Sequence, residues 1–349
     1  MNKLLDKLLD AGSTNATMIA DSVSYKDRDF IQTDIPIVNL SFSGKINNGG
    51  IVSGLTVFAG ESRTYKTLLA LYCLKAYLNK YDDAIAIIYD SEFSITPDYL
   101  ATHRIPEDRV IHIPIENIEQ FKFDVVKRLQ AVSRGDKVFF MLDSLGMLPS
   151  IKELEDAANE KSVADMTRAK AIRSLVRMIT PILSIKDIPF FVINHTYQTM
   201  ELYSKTIVSG GQAVMLAANQ IFIITRAQEK EDDELVGYRF TINIEKSRFV
   251  RSKAKFPLIV TFEEGINQWS GLLEIALDVG YITKPKKGTY VVNLPQYANK
   301  EFKESALINN SDVWDQLIMV KDFEDKVTNK YKLGSTDVRE DNTTTAHSQ

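Results

Sequence analysis

A single cysteine, Cys73, leaves this chain of 349 residues no partner for an internal disulfide and no cysteine framework for zinc. It falls in a helical pattern, where a packed thiol is the expected state. Apolar runs long enough to span a membrane are lacking too, and the charged N-terminus has no signal-peptide pattern. An intracellular, reduced setting is therefore expected, with no membrane partner. Positive charge is not in excess: 42 basic and 46 acidic side chains leave a net −4. That excludes a surface coated in positive charge, although local basic loops can still meet nucleic acid. No internal repeats are present. The length suits one large core with one or two small appendages.

What is there centres on Leu55–Thr67. An apolar run ends at Gly60, five residues of loop follow (Glu61, Ser62, Arg63, Thr64, Tyr65), and Lys66-Thr67 open a helical pattern through Leu68, Leu69, Leu71, Tyr72 and Leu74. Strand, tight loop and helix in that order suit phosphate. Loop N–H groups and the helix N-terminus face the anion, Lys66 reaches the terminal phosphates and the Thr67 hydroxyl can ligate Mg²⁺. The motif departs from a Walker A loop at one place, where Tyr65 replaces the second glycine.

The rest of the chain alternates strand and helix patterns. Strands are predicted at 55–59, 84–89, 110–113, 137–142, 188–194 and 220–225, the alternation expected of a mostly parallel sheet covered on both faces. Phe121, Val125, Leu129 and Val132 recur at helical spacing, and a longer helix at 161–184 carries Arg168, Lys170, Arg173 and Arg177. Long loops at 145–160 and 196–212, the second holding Gly210-Gly211, follow strand ends and so belong beside a ligand crevice. Further strands are expected at 239–244 and 256–262, and a helix at 272–279. Four units follow: a leading segment 1–35 with a short amphipathic helix (Leu4, Leu5, Leu8, Leu9), a core 36–285, a small region 286–333, and a polar tail 334–349 expected to be disordered.

Asp143 follows the most apolar strand, where a carboxylate can hold Mg²⁺; an ordinary turn-capping aspartate is the alternative. Glu92 stands just past the second strand and can orient and deprotonate water, or be a solvated acid. His195 ends a strand at the start of the second long loop, placed either to contact a γ-phosphate or to have no ligand. Lys246 and Arg248 alternate near a strand end and point the same way, toward a phosphate, a neighbouring subunit's included, or toward solvent.

Taken together these features resemble the RecA-type recombinases, and more narrowly the UvsX-like recombinases of T-even phages. The resemblance runs over about residues 30–285. It rests on Tyr89-Asp90-Ser91-Glu92-Phe93 with Ile95-Thr96-Pro97, Asp165 to Lys170, Ile193-Asn194-His195-Thr196-Tyr197, Glu245-Lys246-Ser247-Arg248 and Ser270-Gly271-Leu272-Leu273. It implies an α/β fold, a RecA-like P-loop ATPase core with small N- and C-terminal appendages. The leading helix packs either on its own core or, as an oligomerisation segment, on a neighbouring subunit. Gly60 to Thr67 would hold ATP, Thr67 and Asp143 would serve Mg²⁺, and Glu92 would activate water. Tyr99 would stack on adenine, and His195 would be the γ-phosphate sensor where bacterial relatives carry glutamine. Lys246 and Arg248 would reach ATP across a subunit interface.

The resemblance further implies that the two long loops bind DNA at a filament axis, with Arg168, Arg173, Arg177, Tyr197, Gly210 and Gly211 as the contacts. The expected activity is a DNA-dependent ATPase that forms a helical filament on single-stranded DNA and pairs it with homologous duplex DNA, in recombination, repair and recombination-dependent replication. A single-strand-binding protein and a loading mediator are the implied partners, and the cytoplasm of the phage-infected host the implied location. A hexameric helicase or ring ATPase built on the same core is the alternative.

Overall fold

The computed structural model describes residues 3–11, 13–14, 16–22, 29–160, 166–198, 206–231, 233–298 and 300–333. The expected tail, the start of the 161–184 helix and the middle of the second long loop lie outside them.

The strands β1 (Gly54–Gly60), β2 (Ile85–Asp90), β3 (Val110–Pro114), β4 (Val138–Asp143), β5 (Pro189–Gln198) and the start of β7 (Gln220–Glu231) form a parallel sheet in the order β3-β2-β4-β5-β1-β7. The sheet continues antiparallel through β8 (Glu234–Lys246), β9 (Lys255–Thr261) and β10 (Gly265–Ile266). Side chains alternate between two cores, as strand geometry requires. Phe58, Ile88, Phe139, Met141, Phe191 and Phe222 fill one face; Val57, Ile87, Tyr89, Phe140, Leu142 and Phe190 fill the other.

Helix α1 (Lys3–Asp10) buries no residue. The first core is covered by α2 (Pro36–Ser43) and α3 (Lys66–Lys80), with α4 (Pro97–Thr102) at its edge. The second is covered by α5 (Ile118–Ala131), α7 (Thr167–Lys186) and α8 (Gly211–Ala217), with α6 (Ile151–Ala158) lying outside it. Every residue of α2 is buried, so this helix has no polar face and no helical period to read. Pro36 opens it and Gly44, at φ 74°, ends it.

The first long loop turns out to hold α6. Ser150 caps it, accepting from the Glu153 N–H, while the Glu153 side chain returns to the Ser150 N–H. In the second, β5 runs on to Gln198 and pairs antiparallel with β6 (Thr206–Val208) before α8 begins at Gly211. β7 and β8 also extend beyond the expected ends, forming a long hairpin over 220–246.

The chain ends in α9 (Leu272–Asp278), a three-stranded sheet of β11 (Ile282–Lys286), β12 (Thr289–Val292) and β13 (Glu301–Phe302), and helices α10 (Glu304–Ile308), α11 (Ser311–Ile318) and α12 (Lys321–Tyr331). The expected boundary at 285 falls inside β11. Tyr290, Val292, Trp314 and Phe323 continue the first core without a break.

Phe42 sits among Phe58, Phe191 and Phe222, with ring centroids 6.2, 5.7 and 4.9 Å away. Phe42→Ala is expected to cost about 3–5 kcal/mol of unfolding free energy, read from denaturant melts, because the cavity would open under the sheet's central strands. A change below about 1 kcal/mol would mean that α2 is peripheral rather than core.

Candidate functional site

Register sets Gly60 beside His195 and Asp90 beside Asp143, so the expected residues lie on neighbouring strands. His195 does not end its strand as expected: β5 runs three residues past it, held there by pairing with β6. The loop after β1 needs Gly60, since a Cβ there would lie 2.4 Å from the Ile224 carbonyl oxygen. Tyr65 takes the left-handed conformation at φ 68°, which a glycine would adopt without steric cost. Its ring stacks on Phe240 at 4.8 Å, a contact no glycine could make, and burial pushes its hydroxyl pKa up to about 12. From the neighbouring strand, Arg226 donates to the Arg63 carbonyl at 3.2 Å.

A cleft of about 370 Å³ collects Ser62 to Thr67, Glu92, Tyr99, Asp143 and His195. Arg226, Tyr238 and Phe240 line it as well, and no motif in the sequence pointed to these three. Tyr99 lies on α4, edge-on to His103. Burial and then the Asp143 charge hold its hydroxyl pKa above the ordinary value.

Lys66 is buried and folds back on its own loop. Its Nζ donates to the Glu61 carbonyl at 2.6 Å and to Thr64 Oγ1 at 3.2 Å. Desolvation lowers its pKa, opposed by the charges of Asp143, Glu92 and Glu61. Thr67 donates to Asp143 Oδ2 at 2.8 Å, while the other oxygen, Oδ1, is buried with no hydrogen-bond partner. Burial pushes the Asp143 pKa up to about 6, with the Glu92 and Asp90 charges adding to it and the Thr67 bond opposing it. A buried carboxylate with one unmet oxygen, beside a hydroxyl, fits a divalent cation. No cluster of three metal-ligating His, Cys, Asp or Glu side chains exists among the described residues. Such a cation would therefore take its remaining ligands from water and substrate phosphate.

Glu92 Oε1 accepts from Ser144 Oγ at 2.6 Å and lies 3.1 Å from His195 Nε2. The His195 hydrogen bond, aided by Ser144 and the charges of His195 and Lys66, holds its carboxyl below the usual range against the cost of burial. His195 is tied in turn to the second loop: its carbonyl accepts from the Ser209 N–H, and Asn194 bonds the Ser209 carbonyl.

The remaining expected residues lie outside this cleft. Lys246 donates to the Met215 and Leu216 carbonyls at the end of α8, and burial, then Arg248, lowers its pKa. Arg248 is exposed. Arg168 is partly buried and bonds the Leu145, Gly146 and Leu148 carbonyls, pinning the turn after β4. Arg173 and Arg177 are exposed along α7 and Tyr197 is exposed on β5. Gly210 and Gly211 open α8 with φ 87° and 71°.

The Asp143 pKa carries a sign that can be measured. A folded-state value near 6, above the unfolded aspartate's ~3.9, means that the ionised form costs stability above pH 6 and that the cost vanishes below about pH 4. Asp143→Asn should therefore stabilise the metal-free protein by about 2–3 kcal/mol at pH 7.5, converging with the parent near pH 4, in melts across that range. A difference independent of pH would contradict the burial assignment.

The family described as the C-terminal domain of the bacteriophage T4 recombination and repair protein matches residues 269–327. The recombination and repair protein of Enterobacteria phage T4 is 41% identical over 97% of this chain and 88% of its own length. RecA of Cutibacterium acnes is 22% identical over 88% of this chain and 85% of its own, and RecA of Streptomyces rimosus 24% over 72% and 66%. The chain belongs to the family of the T4 recombination and repair protein, the phage branch of the RecA-type recombinases.

Proposed function

We propose that the protein is a DNA-dependent ATPase that assembles on single-stranded DNA and drives homologous pairing and strand exchange. The observation that carries this reading is the single cleft shared by Lys66, Thr67, Glu92, Tyr99, Asp143 and His195, in a chain of recombinase ancestry.

Lys66 exchanges the Glu61 carbonyl for β- and γ-phosphate oxygens when ATP enters, recovering charge-assisted hydrogen bonds in place of neutral ones. Loop N–H groups from Gly60 to Thr67 line the phosphates, and Tyr99 offers its ring to the base. Thr67 and Asp143 would hold Mg²⁺, which supplies Lewis-acid polarisation of the phosphoryl oxygens. Glu92, kept ionised by its partners, orients the attacking water and takes its proton. His195 Nε2 gives up Glu92 for the γ-phosphate, and the Ser209 bond carries that displacement into the second loop.

Arg173, Arg177, Tyr197 and the backbone at Gly210-Gly211 contact DNA phosphates without reading sequence, while Arg168 holds the turn between them and the cleft. Lys246 and Arg248 lie apart from their own chain's cleft, consistent with service to a neighbouring subunit's ATP. Assembly and ATP occupancy would then strengthen each other by linkage.

ATP turnover measured with and without single-stranded DNA tests the reading. Strong stimulation by DNA is expected, with Lys66→Ala inactive and Glu92→Ala slowed by about 10²- to 10⁴-fold. Hydrolysis indifferent to DNA would leave the nucleotide cleft standing but remove the recombinase; turnover at the parent rate in Lys66→Ala would remove the cleft assignment.

A further inference from the structure

Glu92 belongs to neither a helix nor a strand, yet its chemistry demands a fixed position. It sits in the turn between β2 and α4. What holds that turn is the carboxylate of Asp90, the last residue of β2, which has no exposed surface. Asp90 Oδ1 accepts the backbone N–H of Glu92 at 3.0 Å and of Phe93 at 2.7 Å; Oδ2 accepts that of Ile95 at 3.3 Å and meets His112 Nε2 at 3.2 Å. Three backbone donors are thus met by one side chain, including the donor of Glu92 itself. Phe93, at φ 55°, stands in the left-handed region and needs such a fixed frame.

A second clamp acts on the side chain. Ser144 is fully buried just past Asp143, and its hydroxyl donates to Glu92 Oε1 at 2.6 Å. Its backbone is stitched to the same turn: its N–H donates to Ser91 Oγ and its carbonyl accepts from that hydroxyl, both at 2.9 Å. With Ser144 and His195 both on Oε1, Oε2 takes no hydrogen bond among the described residues and is left to meet water.

We infer that Asp90 and Ser144 are positioning residues for hydrolysis, one fixing the Glu92 backbone and the other its carboxylate. The inference rests on Glu92 being the base. Neither lines the cleft: Ser144 acts on the Glu92 carboxylate and Asp90 on the Glu92 backbone, although the Asp90 charge also adds to the raised Asp143 pKa. Asp90→Asn keeps the size but trades one oxygen for an amide NH₂; with the oxygen kept on Glu92 and Phe93, the NH₂ faces the Ile95 N–H, so that end of the turn must shift. A displacement well under an ångström in a base costs turnover while leaving nucleotide binding largely intact.

The test is a double-mutant cycle on DNA-stimulated ATP turnover in the full chain. Asp90→Asn and Ser144→Ala are each expected to lower kcat by about 10- to 100-fold, with the Kd for a non-hydrolysed ATP analogue changed less than about threefold. Placed on Glu92→Gln, either should lower the residual single-turnover rate by less than about twofold, since no base remains to be misplaced. Losses that multiply on that background, or a folded Asp90→Asn protein with the parent kcat, would overturn the clamp while leaving Glu92 as base. A Glu92→Gln protein with the parent rate would remove the base assignment and the clamp with it. Should Asp90→Asn fail to fold, the Ser144→Ala arm decides by the same criterion.

Discussion

The hydrogen bond from Thr67 to Asp143 closes the phosphate loop onto the sheet, and the site depends on it. It joins the first turn of α3 to the end of β4. It also leaves half of a buried carboxylate unmet, with the pKa raised accordingly. Such an arrangement stores a preference for positive charge. Lys66 shows the complementary strain, a buried ammonium folded onto a carbonyl of its own loop. If Mg-ATP enters, Asp143 gains a partner and Lys66 exchanges a neutral carbonyl for charged phosphate oxygens, so part of the binding energy comes from what folding leaves incomplete.

Parallel sheet topology does the positioning. Register sets Gly60 beside His195 and Asp90 beside Asp143, the second pair about two residues short of the first, while β5 runs on past His195 to Gln198. The residues that follow each strand serve a separate purpose. Those after β1 form the phosphate loop, those after β2 the turn that carries Glu92, and those after β4 and β5 the two long loops. The hydrogen bonds between Glu92 and His195, and between the His195 carbonyl and the Ser209 N–H, tie the Glu92 side chain to the second loop through two contacts. Under the proposed function, a ligand in the cleft and a ligand on that loop would act on the same few atoms.

Much of this was legible in the chain because strand ends mark themselves. Apolar runs buried on both faces stop abruptly at Gly60, Asp143 and His195, and the Lys66-Thr67 pair follows at loop spacing. Helix α2 leaves no such mark, because burial on every side erases the period that reveals a helix. Helix α6 had a visible cap in Ser150 and Glu153, but its exposed apolar residues, Ile151 and Leu154, gave it no core to face. Tyr65 breaks the motif in the sequence; the structure places its ring on Phe240, a residue 175 positions away along the chain that no local pattern connects to it. Asp90 and Ser144 were hidden for a different reason, since a carboxylate and a hydroxyl serving backbone and side chain leave no spacing signature. Arg168 could be seen as one of three arginines on a helix, but not that it turns inward to carbonyls while Arg173 and Arg177 face out.

A structure of the protein with Mg²⁺ and a non-hydrolysed ATP analogue would bear most directly on the unmet groups around Asp143. Lys66 Nζ should leave the Glu61 carbonyl for the β- and γ-phosphates, with a cation at Thr67 and Asp143 Oδ1 and the base against Tyr99. A nucleotide bound elsewhere, with Lys66 still on Glu61 and Asp143 Oδ1 still without a partner, would contradict the reading of the cleft as the site of ATP.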